Sequence, residues 1–293
     1  MQIQKITVIG TGVMGRGIAY AAAVGGFQVT VHDVKQEAMD RALETIRADL
    51  DSGVTRGKLT QEAADAALQR IKTSGDLRDA AKDADLVIEA VLEIMDLKMG
   101  IFRQLDEICP PHTILATNTS TMSPTEIASA TKRADRCVAM HFFNPVPKMK
   151  LCEIIRGMDT SDETVKIART VAEQMGKEAV EVNEFPGFVP GRINALVGNE
   201  AMYMMMEGVA SAEDIDKAIK LGLGYPMGPL ELADLVGLDT RLRNLEYLHQ
   251  TLGEKYRPCP LLSKYVKAGR LGKKSGRGIF EYDEKGNKLP KKG

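Results

Sequence analysis

The chain has 293 residues, with 39 basic and 40 acidic side chains and a formal net charge of −1. That length exceeds one average domain and allows a substantial core, while the balanced charge provides no field to hold nucleic acid or an anionic membrane. Cys109, Cys137, Cys152 and Cys259 are too scattered for a zinc site, a redox motif or a disulfide frame, and no apolar stretch approaches the span of a bilayer; the chain reads as soluble and cytoplasmic, metal-free, with small buried thiols.

Residues 3–9 form a β-branched, apolar run with the character of a buried strand, and Val13–Val24 is alanine-rich and free of proline, as a helix requires. Between them lies Gly10-Thr11-Gly12-Val13-Met14-Gly15. In a strand-to-helix bend this spacing has a mechanism. Gly10 permits the tight turn, Gly12 removes a side chain where backbone must approach a pyrophosphate, and Gly15 lets the helix pack closely on the strand. The N–H groups of the helix N-terminus, around Val13 and Met14, then face the phosphates. A second strand, residues 28–33, ends in Asp33 about 20 residues beyond Gly15, where a dinucleotide fold binds the ribose 2′-hydroxyl. A carboxylate there selects NAD by repelling the 2′-phosphate of NADP, with only Lys35 near enough to soften the clash. The alternative duty for Asp33 is to cap a helix from about Gln36.

Ala38, Ala42, Leu43, Ile46 and Leu50 recur at helical spacing, Gly53 and Gly57 break the run, and Thr60 caps a second helix over Gln61–Gln69. This helical hairpin presents Arg56 and Lys58 either to a second ligand or simply to solvent. Strands follow near Ile71, over 85–90 and over 113–117, separated by helices, the pattern of a parallel, doubly wound α/β sheet of Rossmann type. Ligands in such sheets sit beyond the carboxyl ends of the strands, where Glu93 and Asn118-Thr119-Ser120-Thr121 fall. Ser123-Pro124-Thr125-Glu126 is a capping box, which accounts for Ser123 and leaves Ser120 without a structural duty. Two more strands, 137–141 and 151–155, flank the turn Asn144-Pro145-Val146-Pro147, and a helix over 162–175 and a strand over 179–182 close this domain.

Glu184-Phe185-Pro186-Gly187 reads as a linker, dividing a dinucleotide-binding domain over 1–185 from a helical domain over 186–293. Helices are expected over 193–207, 213–221, 230–236, 240–252 and 260–268, with no strand between them. The stripe Met202, Met204, Met205, Met206 reads as adaptable core or subunit interface, and a helix apolar nearly all round predicts a homodimer through these C-terminal helices. The basic runs Arg270-Leu271-Gly272-Lys273-Lys274 and Lys291-Lys292 read as solvated.

Oxidising an alcohol with a nicotinamide also requires a group that takes the hydroxyl proton near neutral pH, which suits histidine. Of His32, His112, His141 and His249, only His141 stands at a strand end. Glu153 on the next strand is placed to hold its second ring nitrogen, fix the tautomer and stabilise the imidazolium. A histidine merely satisfied within a core is the plain alternative.

His141-Phe142-Phe143-Asn144-Pro145 with Lys150-Leu151-Cys152-Glu153-Ile154-Ile155 resembles the signature of the L-3-hydroxyacyl-CoA dehydrogenases. So do Pro186-Gly187-Phe188-Val189, Ile215-Asp216-Lys217-Ala218 and Gly224-Tyr225-Pro226-Met227-Gly228-Pro229-Leu230-Glu231. The similarity spans essentially the whole chain, and the length without a fused hydratase domain is similar to that of bacterial 3-hydroxybutyryl-CoA dehydrogenases. The resemblance implies NAD-dependent oxidation of a (3S)-3-hydroxyacyl-CoA to the 3-ketoacyl-CoA, and the reverse reduction. It further implies His141 as general acid/base with Glu153 as its orienting partner, Ser120 near the reacting oxygen and nicotinamide, and Asn144 against nicotinamide and substrate. Glu93, Lys98 and Lys274 are implied cofactor neighbours, and Lys58 meets the CoA. One departure stands out: Gly191 occupies a position where the family carries an asparagine that polarises the C3 oxygen. Asn194, one helical turn on, is the expected substitute, the alternatives being a bond from the neighbouring backbone or a water, or a relaxed substrate choice. Two other classes stay open, a related dehydrogenase of free β-hydroxyacids and a non-catalytic NAD-binding structural or sensor protein.

Overall fold

The structure is a computed structural model that describes residues 2–290. Its contacts form two compact units, one ending at Phe185 and one starting at Pro186. The first unit runs β1 (Lys5–Ile9), α1 (Val13–Val24), β2 (Gln28–His32), α2 (Gln36–Thr55), α3 (Gln61–Gln69), β3 (Ile71–Ser74), α4 (Leu77–Ala81) and β4 (Leu86–Glu89). It continues through α5 (Met95–Ile108), β5 (Ile114–Thr117), α6 (Pro124–Ala128), β6 (Cys137–Phe142), β7 (Leu151–Arg156), α7 (Asp162–Gln174) and β8 (Glu178–Asn183). The strands form one sheet in the order β3-β2-β1-β4-β5-β6-β7-β8. The chain builds outward from β1 to β3, then returns to the other side of β1 with β4. The switch between β1 and β4 is where such a sheet opens a crevice at its carboxyl edge.

Strand alternation explains why both faces are covered. In β4, Leu86 and Ile88 join the core formed with α1, α2, α3 and α7, while Val87 joins a second core with Phe102 and Leu105 of α5. Every residue of β4 and β5 is buried, as a strand sandwiched between helices demands. The sheet is not wholly parallel, as the strand-helix alternation had suggested. β7 pairs antiparallel with β6, because residues 143–150 are too few for the crossover that a parallel partner needs. The caps follow the local signals: Thr60 accepts from the Ala63 N–H and Ser123 from the Glu126 N–H.

The second unit contains α8 (Pro190–Glu207), α9 (Ala212–Leu223), α10 (Pro229–Val236), α11 (Leu238–Leu252) and α12 (Pro260–Lys267). The first of these starts three residues before the expected Ile193, since proline is compatible with the first helical turn. Two buried aspartates organise the packing. Asp216 accepts from the Leu230 and Glu231 N–H groups, capping α10 from a neighbouring helix. Asp234 accepts from the Ile279 and Phe280 N–H groups and the Tyr282 hydroxyl. Burial pushes both carboxyls above the usual range, partly offset by these donors. The unit's named elements are helical as expected, and its C-terminal segment, held by Asp234, adds only isolated β-bridges, Gly272 to Arg277, Arg277 to Glu281 and Tyr282 to Lys288. The solvated Lys291-Lys292 expectation lies outside the described residues. Met202 is buried in this unit's core with Met204 and Met205 packed against it, whereas Met206 stays 42 % exposed.

All four cysteines are buried and unpaired with one another. Burial pushes the thiols of Cys109 and Cys137 up to about 11. Among the described residues no helix is long and apolar enough to cross a membrane, and no cluster of metal-binding side chains occurs.

Candidate active site

The carboxyl edge of the sheet begins with the glycine bend. Gly10 adopts φ +95°, and a Cβ there would come within 2.8 Å of the Ala90 carbonyl. A Cβ on Gly15 would lie 1.8 Å from the Gly10 oxygen, so the bend and α1 can close only with glycine at both positions. Gly12 differs: an added Cβ meets nothing within 4 Å, leaving open space over the helix N-terminus, which no side chain caps. Backbone donors facing an open cleft suit a pyrophosphate. Asp33 is not the cap of α2, since Lys35 occupies that position. Instead its Oδ2 accepts from the Thr11 N–H at 3.0 Å and the Thr11 hydroxyl at 2.6 Å, and its Oδ1 from the Lys35 N–H at 3.2 Å. Burial works against ionisation of Asp33, but these donors prevail and hold its carboxyl below the usual value. The acid that would meet the ribose thus also ties the glycine bend to β2.

Beyond β4 and β5 lies a chain of charges. Glu89, wholly buried, accepts from the Val91 N–H and the Thr117 hydroxyl, each at 2.7 Å, and from Lys98 Nζ at 2.8 Å. Lys98 reaches Glu93 with the same ammonium at 3.1 Å. Glu93 Oε1 in turn accepts from Ser120 N–H at 2.7 Å, Ser120 Oγ at 3.2 Å and Thr119 Oγ1 at 2.9 Å. Lys98 is fully buried against Glu89 and Glu93. Ser120 has a structural duty after all, because Glu93 receives both its amide and its hydroxyl.

At the end of β6, His141 stands directly across from Glu153 of β7 in the antiparallel register. Its Nδ1 lies 2.8 Å from Glu153 Oε2, with the carboxylate completely buried and the imidazole 13 % exposed. A neighbouring wall is the Phe143 ring, 4.4 Å away between centroids. The other histidines have structural partners: His32 with the Ser74 carbonyl, His112 with Asp85 and His249 with Glu254. Asn144 stands exposed in the turn three residues past His141.

Two supports escaped the sequence reading. Asn118 Oδ1 accepts from the Phe142 N–H at 2.9 Å, joining the ends of β5 and β6 beside His141. Lys177 donates to the Val146 and Met149 carbonyls at 2.5 and 3.0 Å, pinning the turn that carries Asn144, and burial lowers its ammonium from the usual value. Val146 also fills the space over Gly17 of α1, where a Cβ would meet it at 2.9 Å. In sequence Lys177 is one charge of a Lys-Glu pair between helix and strand, which carries no information about the carbonyls it meets.

The remaining predicted positions are accounted for within their own units. Arg56 and Lys58 are exposed in the turn between α2 and α3. Gly191 lies in the first turn of α8 and Asn194 three residues further along it, and a side chain at 191 would meet nothing within 4 Å. Lys274 is not simply solvated: its ammonium spans both oxygens of Asp239 at 2.6 and 2.8 Å.

Comparison with known proteins closes the question of kinship. Residues 5–185 match the profile of the 3-hydroxyacyl-CoA dehydrogenase NAD binding domain, and residues 187–282 that of the family's C-terminal domain. The chain belongs to the 3-hydroxyacyl-CoA dehydrogenase family. It is 53 % identical over 286 residues to a probable 3-hydroxybutyryl-CoA dehydrogenase of Bacillus subtilis, covering 97 % of this chain and 99 % of the relative. Identity to the 3-hydroxybutyryl-CoA dehydrogenase of Clostridioides difficile is 44 % over 281 residues, covering 96 % and 100 %. The crystal structure of the (S)-3-hydroxybutyryl-CoA dehydrogenase from Ralstonia eutropha matches with a TM-score of 0.93 at 44 % identity, covering 97 % of this chain and 100 % of that one. This 3-hydroxyacyl-CoA dehydrogenase is an NAD-dependent oxidoreductase, and its Rossmann-type sheet has the glycine bend, the open helix terminus and an acid at the end of β2.

Proposed function

We propose that this 3-hydroxyacyl-CoA dehydrogenase interconverts (S)-3-hydroxybutyryl-CoA and acetoacetyl-CoA, with His141 as general acid/base and Glu153 as its orienting partner. The observation that carries the reading is the 2.8 Å contact between His141 Nδ1 and the buried Glu153 carboxylate, on the same sheet edge as the glycine bend. The names of the relatives support the four-carbon acyl chain.

NAD supplies the hydride acceptor in one direction and, reduced, the hydride donor in the other. With Nδ1–H donated to Glu153, the imidazole is held in the tautomer whose Nε2 takes up a proton. During oxidation Nε2 accepts the C3 hydroxyl proton, and during reduction the imidazolium returns it to the C3 oxygen. Glu153, already in place and shielded from water, stabilises the positive ring without reorganising. Ser120, fixed by Glu93, and Asn144, on the turn pinned by Lys177, orient the reacting groups. Asn194 provides the amide that Gly191 lacks, Lys58 meets the CoA, and Lys274 serves the cofactor region. The unit over 1–185 binds NAD and the unit over 186–293 serves substrate binding and dimerisation. The homodimer forms through the C-terminal helices, whose Ile193, Met206, Leu221 and Leu223 are 42–77 % exposed. The setting proposed is the cytoplasm.

The test is NADH oxidation with acetoacetyl-CoA and then longer 3-ketoacyl-CoA esters. Turnover fastest on the four-carbon ester is the expected result. Activity on free 3-hydroxybutyrate but not on its CoA ester would select the free-acid dehydrogenase, and NADH binding without any turnover would select a sensor or structural role.

A further inference from the structure

The chain Glu89, Lys98, Glu93 contains two carboxylates and one ammonium, which leaves one negative charge over. Its inner end is sealed, since Glu89 and Lys98 are both fully buried, while the Glu93 side chain is 37 % exposed. The uncompensated charge therefore surfaces at Glu93, beyond the carboxyl end of β4 and bonded to Ser120 beyond β5. The glycine bend after β1 and Asp33 after β2 fix the course of the dinucleotide across this edge. With the adenosine ribose at Asp33 and the pyrophosphate at α1, the nicotinamide half lies on the far side of the switch point, over β4 and β5.

A nicotinamide ring carries a positive charge when oxidised and none when reduced. Hydrogen bonds to ribose or carboxamide treat the two forms alike, whereas a nearby charge does not. We propose that the Glu89–Lys98–Glu93 chain sets the enzyme's relative affinity for the two forms, its residual negative charge favouring NAD+ over NADH. Glu93 is the group that faces the cofactor. Glu89 is a positioning residue: by sharing the Lys98 ammonium, it keeps Lys98 from neutralising Glu93 completely. The proposal rests on the cofactor course above and is independent of which acyl substrate is used.

The test measures dissociation constants for NADH by fluorescence and for NAD+ by calorimetry, with no acyl-CoA present, in the wild-type enzyme, Glu89→Gln and Glu93→Gln. Each substitution removes one negative charge with little change of shape. The expected result in both variants is a rise of roughly five- to tenfold in the ratio of the NAD+ to the NADH constant, the discrimination of one screened charge at short range. A tenfold rise corresponds to an increase of about 30 mV in the potential of the bound couple. Salt should lower the NAD+ preference of the wild type more than that of Glu93→Gln. Equal weakening of both forms, or a ratio unchanged within twofold in Glu93→Gln, would overturn the proposal by showing that the carboxylate only donates geometry. Should Glu89→Gln fail to fold, the more exposed Glu93→Gln decides alone. A wild type that binds both forms yet leaves acetoacetyl-CoA untouched would refute the substrate reading and not this one.

Discussion

Replacing Glu153 by glutamine tests the proposed proton relay most sharply. The side chain is completely buried and meets His141 at 2.8 Å, so the substitution keeps volume, removes the charge and turns one acceptor oxygen into an amide donor. At that separation an imidazolium and a carboxylate attract by about 6 kcal/mol at an effective dielectric of ~20, before the cost of taking both from water. If roughly half survives that cost, the transition state loses about 3 kcal/mol, or on the order of 10²-fold in rate. A second effect adds to the first. Glutamine can donate its amide N–H to Nδ1, which moves the ring proton to Nε2, the nitrogen that must act as base; the equivalent change in a Ser-His-Asp triad costs about 10⁴-fold. The expected kcat is therefore lower by roughly 10²- to 10⁴-fold. The NADH dissociation constant and the KM for acetoacetyl-CoA should stay within about threefold. His141→Gln, measured beside it, should keep NADH binding and lose several orders of magnitude in turnover. A Glu153→Gln enzyme that melts normally and retains more than a tenth of wild-type kcat would refute the relay.

Gly15→Ala should destabilise the first unit by about 3 kcal/mol and abolish NADH binding, because the new Cβ would sit 1.8 Å from the Gly10 oxygen; thermal melts and fluorescence titration read both. Asp33, held below its ordinary value of 3.8, contributes stability that is present above that value and lost as pH falls through its lower folded value. Acid titration of NADH binding should accordingly show a loss below pH 3.8 that is absent from Asp33→Asn, whose affinity is already weaker at neutral pH. Asn194→Ala should slow acetoacetyl-CoA reduction by about tenfold or more if its amide replaces the one missing at Gly191, and an unchanged rate removes Asn194 from the mechanism. The native thiols should resist a disulfide reagent at pH 8, since Cys109 and Cys137 titrate at about 11, and all four should react once the chain is unfolded.

The parts of the site visible in sequence are those enforced by backbone geometry. Gly10 and Gly15 must be glycine because any Cβ collides with backbone, so their spacing betrays the bend before any fold is known. The same holds for Thr60 and Ser123, whose side chains meet an N–H three residues on. Lys98 and Glu89 illustrate the opposite case. A lysine one turn into an amphipathic helix looks solvated, and only the neighbouring strand end, bringing Glu89 beneath it, makes burial possible. Asp216 belongs to a motif that carries the family resemblance and Asp234 does not, yet each serves as an acceptor for distant backbone N–H groups. Local spacing holds no trace of such partners.

Chain order and residue type alone determined the doubly wound sheet, the dinucleotide bend, the helical second half and the candidacy of His141, because each follows from steric or periodic constraints spanning a few residues. Tertiary packing decided the direction of β7, the opposition of His141 to Glu153, the double duty of Asp33 and the enclosure of Lys98. Those features depend on which strand lies beside which, and at what register. Hydrogen bonding and burial settle that choice only when the whole sheet assembles.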